Sequence, residues 1–224
     1  MKKYIHFIIV TVIYSFSGVA YADRAKVSIE ILDQNNIPLS DVVVSLKSNV
    51  VISGSDIIAE TATMDQVDKQ FNPHVLPVRV DTNVNFPNSD NIRHQVYSFS
   101  KPKPFTLPLY HGEPNNSIKF EKPGVVTLGC NIHDKMLGYI YIVETPYFSK
   151  TDALGRTIIN SLPYGEYEVD IWHPKIVRQD NKNNKEIIDI SNSPYKIQKK
   201  ILIHSESMNT RILTPLEKKF KAIK

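Results

Sequence analysis

The sequence predicts an all-β protein, built as a Greek-key sandwich or barrel. Short runs rich in β-branched and aromatic residues recur along the chain, and clusters of Gly, Pro, Asn and Asp separate them. No long stretch carries the apolar period of an amphipathic helix. Many short strands with turn signals at close spacing are typical of β-sandwiches and β-barrels. The predicted strands are 27–32, 42–46, 78–84, 95–100, 125–128, 139–143, 166–172 and 200–204.

The first 22 residues predict export from the cytoplasm. They read MKKYIHFIIVTVIYSFSGVAYA, with a basic start, an apolar middle and a small-residue end, which is the pattern of a cleaved signal peptide. Polar residues interrupt the apolar run, which is shorter than the roughly 20 residues needed to cross a bilayer. We therefore expect cleavage after Ala22, a mature chain in the periplasm and no stable membrane insertion.

Charge and cysteine content narrow the function classes. The formal net charge of the whole chain is +4, and removal of the signal peptide takes away Lys2 and Lys3. Because the remaining charges are scattered, apart from a basic tail at 216–224, we expect no nucleic-acid partner. The single cysteine, Cys130, forbids an internal disulfide. A free exposed thiol is a liability in an oxidising compartment, so Cys130 should be buried or bound to a metal.

The stretch LGCNIHDKMLG, at 128–138, predicts a metal site. Cys130, His133 and Met136 are evenly spaced along a predicted loop between two strands, and a reversing chain can turn all three side chains towards one ion. Thiolate, imidazole and thioether are soft ligands that suit copper, and two His with one Cys and a weak axial Met describe an electron-transfer copper site. Structural zinc usually takes several Cys or His ligands, and a thioether suits it poorly. The residue types therefore favour copper.

The remaining ligand should be a histidine from a strand distant in sequence. His94 is the best candidate, because it follows the turn FPNSDNIR and opens the strand HQVYSFS. His111, in LYHGEPNN, and His74, in FNPHVLP, are less well placed. The competing interpretation makes Cys130 a small buried apolar residue with ordinary loop and core neighbours. The even spacing of three ligand types and the upstream histidine favour the metal site.

The segment 64–143 resembles the cupredoxins, the small blue-copper fold of plastocyanin and amicyanin. The motif NFPNSD at 85–90, followed by HQV at 94–96, resembles the first-ligand region of that family, and CNIHDKMLGYI at 130–140 resembles its second-ligand loop and last strand. Both motifs also resemble exported plastocyanin-like proteins often labelled methylamine utilization proteins. The resemblance implies one type 1 copper ion held by His94, Cys130, His133 and Met136. Gln95 departs from the family pattern, which has Asn after the first His.

The two flanks of this segment resemble one further module. Residues 27–46 resemble the start of a transthyretin-like domain, also called carboxypeptidase regulatory-like, and TDALGRTIINSLPYGEYEVDIWHP from Thr151 resembles its continuation. The alternative is a plain tandem of two domains, and contacts between 27–46 and 157–172 distinguish the two arrangements. The predicted division is a signal peptide at 1–22, a split transthyretin-like sandwich at 23–62 and 145–215, a cupredoxin domain at 63–144 and a basic tail at 216–224.

Two local features are given a structural interpretation. The polar stretch 178–194 is interpreted as a long surface loop with one short strand at 187–190. The segment IWHP, with Trp172 and His173, is interpreted as a packed strand end at the domain junction rather than as a second metal site. His204 is likewise not assigned to a metal site.

The resulting functional hypothesis is a periplasmic blue copper protein that moves single electrons between redox protein partners. A copper oxidase or nitrite reductase needs further copper centres, and its copper-ligating Cys is commonly flanked by His. Gly129 and Asn131 flank Cys130 here, and the chain lacks any H-x-H pair, so we expect no enzyme. A copper carrier or sensor, or a cell-envelope binding module without a redox role, stays open because ligand identity does not separate these functions.

Overall fold

The prediction of an all-β fold is confirmed. The computed structural model describes residues 24–48, 60–114, 116–177 and 186–204, and these contain seventeen strands and no helix. Accordingly, no helix in the described ranges is long and apolar enough to cross a membrane. The predicted signal peptide, the basic tail and positions 178–185 of the predicted polar loop lie outside the described residues.

The strands fall into two groups with separate apolar cores. The first group comprises β1 (Arg24–Asp33), β2 (Val43–Ser48), β13 (Phe148–Lys150), β14 (Arg156–Pro163), β15 (Gly165–Trp172), β16 (Glu186–Ile190) and β17 (Tyr195–Ile201). The second comprises β3 (Thr61–Thr63), β4 (Asp65–Val67), β5 (Gln70–Asn72), β6 (Val75–Arg79), β7 (Thr82–Asn85), β8 (His94–Ser98), β9 (Phe105–Tyr110), β10 (Ile118–Phe120), β11 (Gly124–Cys130) and β12 (His133–Val143).

The first group is formed by the two flanks of the chain together. β1 pairs with β14 and β17 in one sheet, while β2 pairs with β13 and β15 in a second sheet that β16 extends. Leu46 lies opposite Val169, and Ser28 lies opposite Ile158. The inward faces of both sheets join one apolar cluster. This pairing favours a split sandwich over a tandem, and the exact domain bounds stay a prediction.

The second group surrounds the predicted metal ligands. Its largest sheet has the order β6-β12-β11-β8-β9, and a smaller sheet has the order β10-β7-β3. Alternate positions along β8 and β12 are buried, as a strand with one face on the core requires. The buried side chains form a second apolar cluster that contains both Cys130 and Met136.

Two predicted strands differ from the observed ones. The run 78–84 is broken by a turn at Asp81, whose φ of 72° belongs to the left-handed region that strands do not use. The last predicted strand, 200–204, is wrong in position, because the strand is Tyr195–Ile201. There, Ile197 and Ile201 are buried, but the polar Gln198, Lys199 and Lys200 between them hide the apolar pattern. The short strand predicted at 187–190 is present as β16.

Aromatic side chains join the two groups. The Trp172 ring stacks on Tyr141, with centroids 5.0 Å apart and planes at 14°, and meets Tyr139 edge-on at 5.8 Å. The Tyr141 hydroxyl donates a hydrogen bond to Asp170 Oδ2 at 2.5 Å. Such pairs add about 0.5–1.5 kcal/mol each to the free energy of burial. The end of β15 is therefore a packed structural contact.

His173, next to this contact, predicts a pH-dependent stability. Burial, with a smaller contribution from the charge of Lys175, lowers the pKa of His173 to about 4 from its usual value near 6.5. The unfolded chain therefore binds more protons between these values, so stability is full above pH 6.5 and falls as the pH drops towards 4, by about 3 kcal/mol at most. His173 Nδ1 accepts a hydrogen bond from the Lys175 N–H at 3.2 Å.

His173→Asn is expected to flatten this dependence, because an amide oxygen can accept the same hydrogen bond without titrating. Urea unfolding of both proteins at neutral and mildly acidic pH measures the difference. An equal loss of stability in the two proteins on acidification would contradict a role for His173.

Candidate metal centre

A tight hairpin carries the three ligand candidates that are close together in sequence, Cys130, His133 and Met136. Cys130 is the last residue of β11 and His133 the first of β12, so only residues 131 and 132 connect the strands. The loop predicted between residues 128 and 139 is therefore shorter than expected, because the two strands extend to Cys130 and from His133. Cys130 lies opposite His133, whereas Gly129 lies opposite Leu137, which leaves residues 134–136 as a bulge in β12.

Three potential ligand atoms converge at this end of the second core. Cys130 Sγ lies 3.7 Å from His94 Nδ1 and 3.8 Å from His133 Nδ1. His94, Cys130 and His133 offer ligand atoms that all lie within 4.8 Å of one another, and no other such group of His, Cys, Asp or Glu occurs in the described part of the chain. The fold thus brings together residues that are 36 positions apart.

The spacing of these atoms fits a metal ion. A metal–thiolate bond is about 2.3 Å and a metal–imidazole bond about 2.0–2.1 Å. If the two bonds subtend about 120°, sulfur and nitrogen lie about 3.8 Å apart, whereas a tetrahedral angle places them about 3.5 Å apart. The observed distances of 3.7 and 3.8 Å lie within about 0.3 Å of both values, so the thiol and each imidazole are close enough to share one ion. A trigonal plane of two His and one Cys is the arrangement of electron-transfer copper sites.

Burial of the cluster is uneven. His94 is 0% exposed and Cys130 is 3% exposed, so the thiol lies in the core as expected for the lone cysteine. His133 is only partly buried, and the neighbouring Ile132 is 46% exposed. The cluster therefore approaches the surface at His133 and is closed on the side of His94.

Met136 is the fourth predicted ligand. It is the last residue of the bulge, its side chain is buried, and it belongs to the same apolar cluster as Cys130. A thioether in a dry environment suits a weak axial contact with copper. Coordination by Met136, like the ligand assignment of the three other residues, stays a prediction.

The two other candidate histidines lie outside the cluster. His74 Nδ1 contacts the Leu137 carbonyl oxygen at 3.1 Å, and its ring meets Tyr139 edge-on. Desolvation by its neighbours lowers the pKa of His74, although the side chain is partly exposed to solvent. His111 is exposed in the segment after β9. Neither residue belongs to the group formed by His94, Cys130 and His133.

Sequence reasoning missed Asp90, which contacts the first histidine. Asp90 Oδ2 lies 2.6 Å from His94 Nε2 and also accepts the Lys69 N–H at 2.9 Å, while Oδ1 accepts the Asp68 N–H at 2.7 Å. Partial burial acts to raise the pKa of Asp90, but these hydrogen bonds outweigh it and hold the pKa below its usual value. The available signal was an acidic residue four positions before the histidine.

Asn88 fixes the shape of the same turn. Its Nδ2 donates to the Ile92 carbonyl at 2.9 Å and to the Tyr110 carbonyl at 2.8 Å, and its Oδ1 accepts the Asp90 N–H at 3.1 Å. This amide is buried at 3% exposure. Because every one of these partners is backbone, the Asn88 amide fixes the shape of the turn that carries Asp90.

A side chain at position 129, next to the thiol, would press against Tyr97. A Cβ at position 129 would lie 3.0 Å from Cζ and 3.1 Å from the hydroxyl oxygen of Tyr97. Contacts this short force the neighbouring ring to shift. A histidine does not fit at this position without moving Tyr97.

Comparison with models of known protein families and with curated proteins finds no match. Among solved structures, the chain is similar to a copper-containing nitrite reductase from Thermus scotoductus SA-01, at 29% identity over 43% of this chain and 25% of that chain, with a TM-score of 0.37. The chain therefore spans about a quarter of that enzyme's length.

Two smaller proteins are matched over nearly their whole length. A purple cupredoxin from Nitrosopumilus maritimus is 21% identical over 37% of this chain and 99% of that chain, with a TM-score of 0.33. An amicyanin is 18% identical over 45% of this chain and 98% of that chain, with a TM-score of 0.34. These neighbours include cupredoxins, the family that the sequence motifs resemble.

Proposed function

We propose that the protein is a type 1 blue copper protein that passes single electrons between redox proteins of the periplasm. One observation carries the proposal: His94 Nδ1 and His133 Nδ1 lie 3.7 and 3.8 Å from the buried thiol of Cys130. These distances allow the three soft donors to share one ion. Copper suits this donor set better than zinc, because a thioether from Met136 is the next soft group available.

The chain's own residues supply a preformed site. Cys130 and the two histidines would hold the ion, Met136 would complete the set, and copper would supply a one-electron couple between Cu(I) and Cu(II). β11, β12 and β8 are neighbouring strands of one sheet, so the three donors are fixed by hydrogen-bonded backbone. A donor set held in this way needs little rearrangement when the charge at the centre changes.

We propose that electrons pass between the metal centre and a partner protein at His133. It is the one histidine of the cluster with exposed surface, and Ile132 beside it presents an apolar side chain to solvent. A redox protein that docks here would come closest to the thiol of Cys130. The closed side at His94 offers no comparable approach.

A carrier is preferred to an enzyme on the evidence of Gly129. Copper enzymes that pass electrons to a second centre commonly have His next to the copper-ligating Cys. A Cβ at position 129 would lie only 3.0–3.2 Å from Tyr97, so a histidine there would displace that ring. This chain therefore has Gly, and not His, directly before its thiol, and we propose no catalytic step.

Electron transfer and copper transport make different demands on the reduced protein. The mature chain, loaded with copper, is reduced and re-oxidised repeatedly in the presence of a Cu(I) chelator. An electron carrier is expected to keep its copper and recover its full visible absorption after each cycle. Loss of copper to the chelator in the first reduced interval would contradict the proposal and favour a copper carrier.

A further inference from the structure

The Asp90 carboxylate contacts the ring of His94 at the nitrogen that faces away from the thiol. Its Nε2 lies 2.6 Å from Asp90 Oδ2, on the opposite side of the ring from the 3.7 Å contact between Nδ1 and Cys130 Sγ. An ionised carboxylate only accepts hydrogen bonds, so Nε2 must carry the proton. In the neutral ring, Nδ1 then bears the lone pair and directs it at the thiol.

Asp90 is itself fixed by a second element. The β4–β5 hairpin turns through two residues, Asp68 and Lys69, with φ values of 53° and 60°. Positive φ at both positions is the mark of a type I′ turn, whose twist suits a two-residue hairpin. Both turn residues point their N–H groups at the Asp90 carboxylate, at 2.7 and 2.9 Å. Three donors thus converge on two oxygens.

We propose that Asp90 is a positioning residue for the metal centre. It holds His94 in the Nε2–H tautomer, with Nδ1 presented to the ion, and it anchors that ring to the β4–β5 turn. Carboxylates behind metal-bound histidines fix the ring and raise the basicity of the ligand, and their loss typically lowers metal affinity by about 10–100-fold. The tautomer claim is independent of the metal, while the affinity claim rests on the proposed function.

Asp65 provides a matched control for a purely structural role. Its Oδ2 accepts the Ser89 hydroxyl at 2.8 Å and its Oδ1 accepts the Ser89 N–H at 3.3 Å, so it ties the same turn to the same hairpin. The Asp65 oxygens accept hydrogen bonds from Ser89 and from the Gln66 N–H, and His94 bonds Asp90 instead. Asp65→Asn therefore perturbs the loop and removes a charge while leaving the histidine contact in place.

The tautomer is measured in the copper-free mature chain, labelled with ¹⁵N-histidine, by NMR at neutral pH. The expected result is a protonated Nε2 at His94 in the native protein and in Asp65→Asn. Asp90→Ala should lose this single tautomer. Asp90→Asn should keep it in part, because an amide oxygen can still accept the bond, and this variant carries the test if Asp90→Ala does not fold.

Copper affinity is measured on the same proteins by competition with a chelator. We expect a loss of about 10–100-fold in Asp90→Ala, a smaller loss in Asp90→Asn and no more than about a twofold change in Asp65→Asn. A native His94 protonated at Nδ1, or an Asp90→Ala protein with unchanged tautomer and affinity, would overturn the proposal. Native protein with the Nε2–H tautomer but no copper binding would instead refute the proposed function and leave the tautomer assignment standing.

Discussion

Cys130→Ser is expected to abolish the strong visible absorption of the copper-loaded protein. That absorption arises from charge transfer between a thiolate and copper, and a serine hydroxyl is a hard donor that stays protonated near neutral pH. Loss of a residue that only hydrogen-bonds a metal ligand lowers metal affinity by about 10–100-fold. Loss of the ligand itself should cost at least about 100-fold in copper affinity. Serine is nearly isosteric with cysteine, so the apolar cluster around position 130 should persist.

His111→Ala is the matched control for this substitution. His111 is an exposed histidine directly after β9 and lies outside the group formed by His94, Cys130 and His133. Spectrum and affinity of this variant should equal those of the native protein. A Cys130→Ser protein that keeps the band would contradict the thiolate assignment, and a colourless His111→Ala protein would show that His94 is the wrong histidine.

Gly155→Ala is expected to cause the largest loss of stability from a single added methyl group. Gly155 has a φ of +70°, and its Cβ would lie 2.4 Å from the Ile31 carbonyl oxygen, 3.0 Å from the Leu39 nitrogen and 3.2 Å from the Pro38 Cα. All three atoms are backbone, so no side-chain rotation relieves the overlap. Left-handed backbone costs about 1–2 kcal/mol and overpacking about 1–3 kcal/mol, which predicts a loss of about 2–5 kcal/mol.

Gly112→Ala separates the two causes. Gly112 has a similar φ of +74°, but a Cβ there meets nothing within 4 Å. Only the backbone cost of about 1–2 kcal/mol should appear. Denaturant unfolding of the copper-free proteins measures both values, and equal losses in the two variants would contradict the close approach of three chain segments at Gly155.

The fold was most predictable where a strand is buried on at least one face. The runs 125–128 and 139–143 lie inside β11 and β12, because their β-branched and aromatic residues fill the core between two sheets. β9 escaped prediction, since its sequence FTLPLY contains a proline and much of it is exposed at the edge of the five-stranded sheet. Propensity therefore identified central strands better than edge strands.

The candidate metal ligands were predictable from residue types, whereas the contacts that hold them in place were not. A lone cysteine followed by His133 and Met136, with His94 upstream, was enough to suggest soft metal coordination. The contact with Asp90 depends on a hairpin turn more than 20 residues before it in the chain, which no local pattern encodes. The bulge at 134–136 depends likewise on the register between two strands.

Titration of Cu(II) into the mature chain, with the visible spectrum and bound copper recorded together, tests the central claim most directly. We predict an intense thiolate-to-copper band that saturates at one copper per chain, disappears on reduction and returns on re-oxidation. A protein that stays colourless and binds no copper would contradict the assignment of Cys130, His94 and His133 as a copper site.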